Sequence, residues 1–314
     1  MKNTAFLFPG QGSQKLGMLN DLSKKFSIIK STFQEASDVL GVELWEISQS
    51  DEKGILANTE ITQPVLLSAS VAIWRVWMSL SDEKPSAVSG HSLGEYSALV
   101  CSGTISFQEA VRLVHFRGSA MQNAVPSGEG KMAAILGLSE ETVEEICTVA
   151  QKKRAGLVSP ANINATKQIV ISGEFPAVTL AIELCKEAGA KRALALDVSV
   201  PSHCDLMRSA AAELEHMLDS IEIGTPEIKV IQNVDGEIQT DKSKIKHNLV
   251  KQLYMPVRWI DCINKIYRLG CKSVVECGPG RVLTGLVKRI QPEIQCFSTD
   301  TIERITEAHD SLSQ

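Results

Sequence analysis

Gly90-His91-Ser92-Leu93-Gly94 is the stretch of this sequence with the plainest capacity for chemistry. It fits the G-x-S-x-G nucleophile elbow, in which a strand reverses sharply into a helix and holds a serine hydroxyl at the apex. The apolar lead-in Ala87-Val88 predicts the strand, and Glu95-Tyr96-Ser97-Ala98-Leu99-Val100 predicts the helix. A Cβ at position 90 or 94 would crowd such a turn, which is a physical reason for glycine at both. The Ser92 hydroxyl would then sit beside the Leu93 N–H and the positive end of the helix dipole, as a serine that attacks carbonyls requires. The pattern by itself fits a plain glycine-containing strand–helix turn equally well.

A serine nucleophile needs a base, and the chain has six histidines. His91 adjoins Ser92, where successive side chains diverge. His115, His216, His247 and His309 fall in helical, polar-flanked stretches and read as surface or packing residues. His203 lies in the loop Ser199-Val200-Pro201-Ser202-His203-Cys204, where it could face the elbow across a cleft between two lobes. Asp197 and Asp205 flank it and are candidates for a third triad member, although Asp205 is very near in sequence. The loop Gly10-Gln11-Gly12-Ser13-Gln14 follows an apolar run, Thr4 to Phe8. It lacks the Lys-Ser/Thr ending of a P-loop and the full G-x-G-x-x-G pattern, so a backbone N–H donated to an oxyanion suits it better than a phosphate cradle.

These residues need elements to position them. Thr4–Phe8 reads as a central strand, residues 18–40 as helical, and Pro64 as the first turn of a helix continuing to Leu80. Ser106 with Glu109 forms a capping box for a helix that runs through Arg117 to Gln122. The Pro/Gly-rich Pro126–Gly130 marks a boundary. Beyond it come a strand at Lys131–Leu136, a helix at Ser139–Arg154, strands at Leu157–Asn162 and Gln168–Ser172, a helix at Phe175–Ala188 and a strand at Arg192–Val198. That β-α-β-β-α-β order is that of a ferredoxin-like unit. The larger body resumes with a helix (Met207–Leu218), a strand (Ile228–Asn233), a helix (Ile260–Leu269) and the strand Ser273–Glu276, which ends at Gly278-Pro279-Gly280. The expected organisation is therefore a large α/β domain with a mostly parallel sheet, formed by residues 1–127 and 199–314, with 128–198 as an inserted small domain.

The chain has 314 residues, 44% of them hydrophobic and 22% charged, with a net charge of −5. This balance gives no reason to expect nucleic acid as a partner, while leaving room for an acidic protein on a local basic patch. Eight scattered cysteines form no C-x-x-C pair and no Cys/His ligand spacing, which points to reduced thiols and no metal. Neither a signal peptide nor an apolar run of about 18 residues is present, so the expectation is a soluble, cytoplasmic protein with no membrane contact.

Seven motifs occur in order: G-Q-G-S-Q at Gly10–Gln14, G-H-S-L-G-E at Gly90–Glu95, R-G at Arg117-Gly118, N-x-N at Asn162–Asn164, V-P-S-H-C at Val200–Cys204, Q-L-x-x-P-V-R-W at Gln252–Trp259 and E-C-G-P-G at Glu276–Gly280. Each alone is modest; together, across residues 4–300 or so, the chain strongly resembles the malonyl-CoA:acyl carrier protein transacylases of type II fatty acid synthesis. The resemblance implies an α/β-hydrolase-like large domain with a ferredoxin-like insert, and a monomer that takes malonyl-CoA as substrate, needs no cofactor and serves acyl carrier protein. It implies Ser92 as nucleophile, His203 as base, and the N–H groups of Gln11 and Leu93 as oxyanion hole. Arg117 would hold the malonyl carboxylate, and the Gln252 main-chain carbonyl would orient the histidine. Asn162 would lie near the acyl or pantetheine pocket. Gln63 and Met121 are equally readable as pocket lining or as helix-end and core residues. An esterase or thioesterase, and a non-catalytic carrier-binding module, are the rival readings. Lys191, Arg192, Arg281, Lys288 and Arg289 are candidates to meet an acidic carrier.

Overall fold

A computed structural model describes residues 1, 3–153, 156–198 and 200–313. The expected helix end at Arg154, and Ser199 and Gln314 as the limits of the last segment, lie outside those residues. The chain begins with β1 (Thr4–Phe8), α1 (Asn20–Lys25), α2 (Ile28–Leu40), α3 (Leu44–Gln49) and α4 (Thr59–Leu80), then β2 (Ala87–Gly90), α5 (Gly94–Cys101) and α6 (Phe107–Asn123). Next come β3 (Gly130–Leu136), α7 (Glu140–Lys152), β4 (Val158–Ala165), β5 (Gln168–Glu174), α8 (Phe175–Glu187) and β6 (Arg192–Ala195). It finishes with α9 (Arg208–Asp219), β7 (Lys229–Ile231), β8 (Ile238–Gln239), α10 (Lys242–Gln252), α11 (Trp259–Arg268), β9 (Ser273–Glu276), α12 (Val282–Ile290), β10 (Gln295–Ser298) and α13 (Ile302–Leu312).

The larger sheet has the order β10-β9-β1-β2-β7-β8 and is parallel except for the short β8. Every residue of β1 is buried, as expected of an uninterrupted apolar strand covered on both faces. Phe6 meets Trp74 and Trp77 of α4 edge-on, at centroid separations of 5.4 and 5.1 Å. Strand order reverses at β1, whose successors β2 and β9 lie on opposite sides of it. The crevice beyond the C-terminal ends of such strands is where open α/β sheets place ligands.

Pro64 sits elsewhere than expected. α4 begins at Thr59, so the proline falls inside the helix and cannot donate to the carbonyl of Glu60. His115 of α6 donates from Nδ1 to that carbonyl at 3.0 Å and so replaces the missing bond. A packing role for His115 thus has a specific cause. Ser106 does cap α6, accepting from the Glu109 N–H at 3.3 Å.

The second sheet is antiparallel, in the order β4-β5-β3-β6. Helices α7 and α8 bury one face of it, with Val143, Cys147, Val178 and Ala181 against Ile135, Ile163, Ile169 and Ile171. Met132, Ala161 and Val170 form a small cluster on the other face. Strand β6 stops at Ala195, and residues 196–198 continue outside the ladder, short of the strand expected there. The two sheets are tied through main chain: Ile163 donates to the Val257 carbonyl at 2.8 Å, and Val257 donates to that of Ala161 at 2.9 Å. Among the described residues no helix is long and apolar enough to cross a membrane, and all eight cysteines are free thiols, seven of them buried.

Candidate active site

β2 lies between β1 and β7, with Gly90 opposite Phe8. At its end the chain turns so tightly that a Cβ on Gly90 would stand 1.9 Å from the carbonyl carbon of Gly94, and one on Gly94 would stand 2.0 Å from the Phe8 oxygen. Both elbow glycines are therefore steric necessities. Ser92 takes φ 51°, a left-handed conformation that costs a serine energy and needs surrounding bonds to hold it. Asn233, just beyond β7, supplies two: its Oδ1 accepts from the Ser92 N–H at 2.8 Å and its Nδ2 donates to the Gly90 carbonyl at 2.7 Å. Gln252 adds a third, donating from Nε2 to the Ser92 carbonyl at 3.0 Å.

The His203 Nε2 lies 2.8 Å from the Ser92 Oγ. On the other side of the ring, Nδ1 meets the Gln252 carbonyl at 2.6 Å. A carbonyl only accepts, so Nδ1 carries the proton and Nε2 offers its lone pair to the hydroxyl. Burial, reinforced by the Arg117 charge, lowers the imidazole's pKa to about 3 despite the Gln252 bond, so the ring is neutral and able to accept a proton. His203 itself has φ 62°, and its N–H is held by the Leu253 carbonyl at 2.9 Å. Neither flanking aspartate completes a triad: Asp205 pairs with Arg208 at 2.7 Å on the surface.

Arg117 is 1% exposed, against the usual habit of helix arginines to reach solvent. The neighbouring Gly118 lets α6 approach α4 closely enough for this; a Cβ there would come within 2.6 Å of the Thr59 oxygen. Its Nη1 donates to Gln63 Oε1 and its Nη2 to Gln252 Oε1, both at 2.9 Å, and Nη2 is 3.5 Å from the Ser92 Oγ. The guanidinium carbon lies 5.4 Å from the Tyr96 ring centroid. Among the described residues no carboxylate reaches ion-pair distance of it, and its Nε has no partner. A buried cation fixed by neutral amides beside a serine hydroxyl is able to hold an anionic group.

Gln63 accepts from Arg117 and is fully buried, and its Nε2 touches the Met121 sulfur at 3.6 Å. Met121, Asn162, Gln11 and Leu93 all line a cleft of about 120 Å³ together with Ser92, Arg117 and His203. Neither the Gln11 nor the Leu93 N–H has a main-chain or side-chain acceptor among the described residues, so both are free to donate into that cleft. His91 lines the same cleft, and its Nε2 is 2.8 Å from Asn164 Oδ1 on β4. Gly278–Gly280 acts as a turn, and Glu276 occupies the start of α12 by accepting from the N–H groups of Leu283 and Thr284 at 3.0 and 2.7 Å. No group of three or more metal-ligating side chains is found among the described residues.

Sequence reasoning missed the buried layer beneath the serine. Glu95 is fully buried and accepts from Gln232 Nε2 at 2.8 Å, from the Asn233 N–H at 2.9 Å and from Gln252 Nε2 at 2.9 Å. Burial pushes its carboxyl up to about 7, against the three donors that hold it down. The available signal was slight: a polar pair, Gln232-Asn233, ending an apolar strand.

The family model described as "Acyl transferase domain" matches residues 5–302. The malonyl CoA-acyl carrier protein transacylase of Haemophilus influenzae is 48% identical over 313 residues, covering 99% of this chain and all of its own length. That of Escherichia coli strain K12 is 49% identical over 290 residues, 92% of this chain and 93% of its own. Among solved structures, the transacylase from Coxiella burnetii superposes with a TM-score of 0.97 at 46% identity, covering 100% of this chain and 98% of that one. A malonyl-transacylase in complex with a type II PKS acyl-carrier protein gives 0.96 at 49% identity, covering 98% and 99%.

Proposed function

We propose, because this chain belongs to the acyl transferase family, that it moves a malonyl group from malonyl-CoA to the phosphopantetheine thiol of acyl carrier protein, supplying fatty acid synthesis. The Ser92 Oγ attacks the thioester carbonyl while His203 Nε2 takes its proton. The N–H groups of Leu93 and Gln11 hold the oxyanion. As the tetrahedral species collapses, the CoA thiolate leaves with the proton from His203, and a malonyl ester stays on Ser92. The carrier thiol then gives its proton to His203 and attacks the ester, and the serine recovers its proton as the malonyl thioester departs. Gln252, through its carbonyl, does the orienting that an aspartate does in a hydrolase triad. A thioester is already activated, so this route calls for no resident cofactor.

The observation that carries this reading is Arg117: a buried guanidinium without a carboxylate partner, 3.5 Å from the hydroxyl that attacks. It favours an acyl group ending in negative charge, which a generic esterase does not need. Asn162 and Met121 shape the acyl and pantetheine path. The element order β-α-β-β-α-β, with its second sheet, supports residues 128–198 as a ferredoxin-like insert in an α/β-hydrolase-like body made by 1–127 and 199–314. Free thiols agree with a cytoplasmic location, and we take the chain to act as a monomer.

The test is to incubate the protein with malonyl-CoA, with and without carrier protein. Transfer to the carrier, with a malonyl adduct that mass spectrometry finds on the wild type and not on Ser92→Ala, is the expected result. Mostly free malonate would make it a hydrolase, and no adduct on the folded protein would make it a binding module.

A further inference from the structure

Gln252 holds three parts of the site at once. Its carbonyl meets the His203 Nδ1, its Nε2 reaches the Ser92 carbonyl, and its Oε1 accepts from Arg117 Nη2. The side-chain amide has two possible orientations, related by a half-turn, and only one of them points an acceptor at Arg117. The other would aim an NH₂ at a guanidinium, donor against donor. The Ser92 carbonyl and Glu95 decide between them together, both accepting from the same nitrogen at 3.0 and 2.9 Å. When ionised, the Glu95 carboxylate only accepts, and it draws the NH₂ towards it and turns the oxygen to Arg117. Glu95 is held in turn by Gln232 and the Asn233 N–H, and the Gln232 oxygen accepts from Asn248 at 3.1 Å, so each amide in the row has one sense. Glu95 is not among the residues that line the cleft at Ser92 and is fully buried.

We propose that Glu95 is a positioning residue for acyl selection, setting the Gln252 amide so that the Arg117 guanidinium is aimed at a carboxylate beside Ser92. This rests on the functional reading above. Glu95→Gln keeps the shape and weakens the constraint, leaving the Ser92 carbonyl to hold the Gln252 amide, because an amide in the Glu95 place accepts with one atom and donates with the other. Acyl-Ser92 formation is followed by intact mass with malonyl-CoA and with acetyl-CoA, and folding by thermal unfolding. The malonyl-to-acetyl rate ratio is expected to fall about tenfold in Glu95→Gln. Should that variant not fold, Glu95→Asp, which keeps the carboxylate one methylene short, is expected to lower the ratio about threefold. An unchanged ratio in the folded variant overturns the inference, as does an equal loss on both thioesters, which is what a merely structural residue would give. Wild-type protein that forms no malonyl adduct, or an Arg117→Ala protein with the wild-type ratio, overturns instead the reading on which it rests.

Discussion

Arg117, His203 and Gln252 stand on the parallel-sheet wall of the cleft and are at most 3% exposed, whereas Leu196 and Val198 on the opposite wall are 36% and 39% exposed. The first wall is polar, dry and cross-bonded: Ser92, Asn233, Gln252, Glu95 and Arg117 share hydrogen bonds in one continuous set. The second is mainly apolar, with Met132, Leu196 and Val198 beside Asn162. Buried polar groups are costly unless partnered, so a cross-bonded network favours one arrangement, while an apolar face tolerates many. On the proposed function, the difference would give chemistry and acyl choice to the first wall and passage to the second.

The sharpest way to break that assignment is His203→Ala. Removing the imidazole that lies 2.8 Å from the Ser92 Oγ should slow single-turnover ester formation about 10³-fold; near-normal rates would put the base elsewhere. Next is Arg117→Ala, which should shift preference from malonyl- toward acetyl-CoA by about 2–4 kcal/mol, read from competing acyl-enzyme formation. Equal relative rates would remove Arg117 from acyl choice.

A third prediction concerns stability. The Glu95 carboxyl, raised from 4.5 to about 7, keeps its proton in the folded state where the unfolded chain has lost it. Its contribution to stability is present below the unfolded value and disappears as pH rises through about 7; His203, lowered from 6.5 to about 3, loses its contribution in the other direction, as pH falls. Denaturant melts of wild type and Glu95→Gln should therefore converge by about 3 kcal/mol between the two Glu95 values. Parallel pH curves would show that burial leaves this group unperturbed. The smallest effect is expected from the apolar wall: Leu196→Ser should change turnover by less than about threefold and act chiefly on KM. A large loss in kcat would erase the contrast between the walls.

The elbow was legible because its information is local: two glycines around a serine dictate a bend within five residues. From spacing, His203 was legible only as a loop histidine that could face the elbow, since Ser92 is 111 residues away and spacing does not carry that distance. The β-α-β-β-α-β order was visible because strand and helix periods alternate cleanly there. The short β8, and α10 with its weakly patterned Lys-rich face, were not read at all. Glu95 illustrates the limit: a glutamate in the first turn of a helix is ordinary, and nothing in its neighbours announces that this one is enclosed by amides.

The main-chain bonds between residues 161–163 and Val257 bear on how the enzyme could be re-engineered. They knit the antiparallel unit to the very segment that carries the carbonyl behind the imidazole. A chimera that exchanges the antiparallel unit alone would seat a foreign strand edge against the native 252–259 stretch and tug on the histidine's tether. A transplant that takes both pieces together moves the seam away from the reacting atoms, and so offers the better route to a new acyl repertoire.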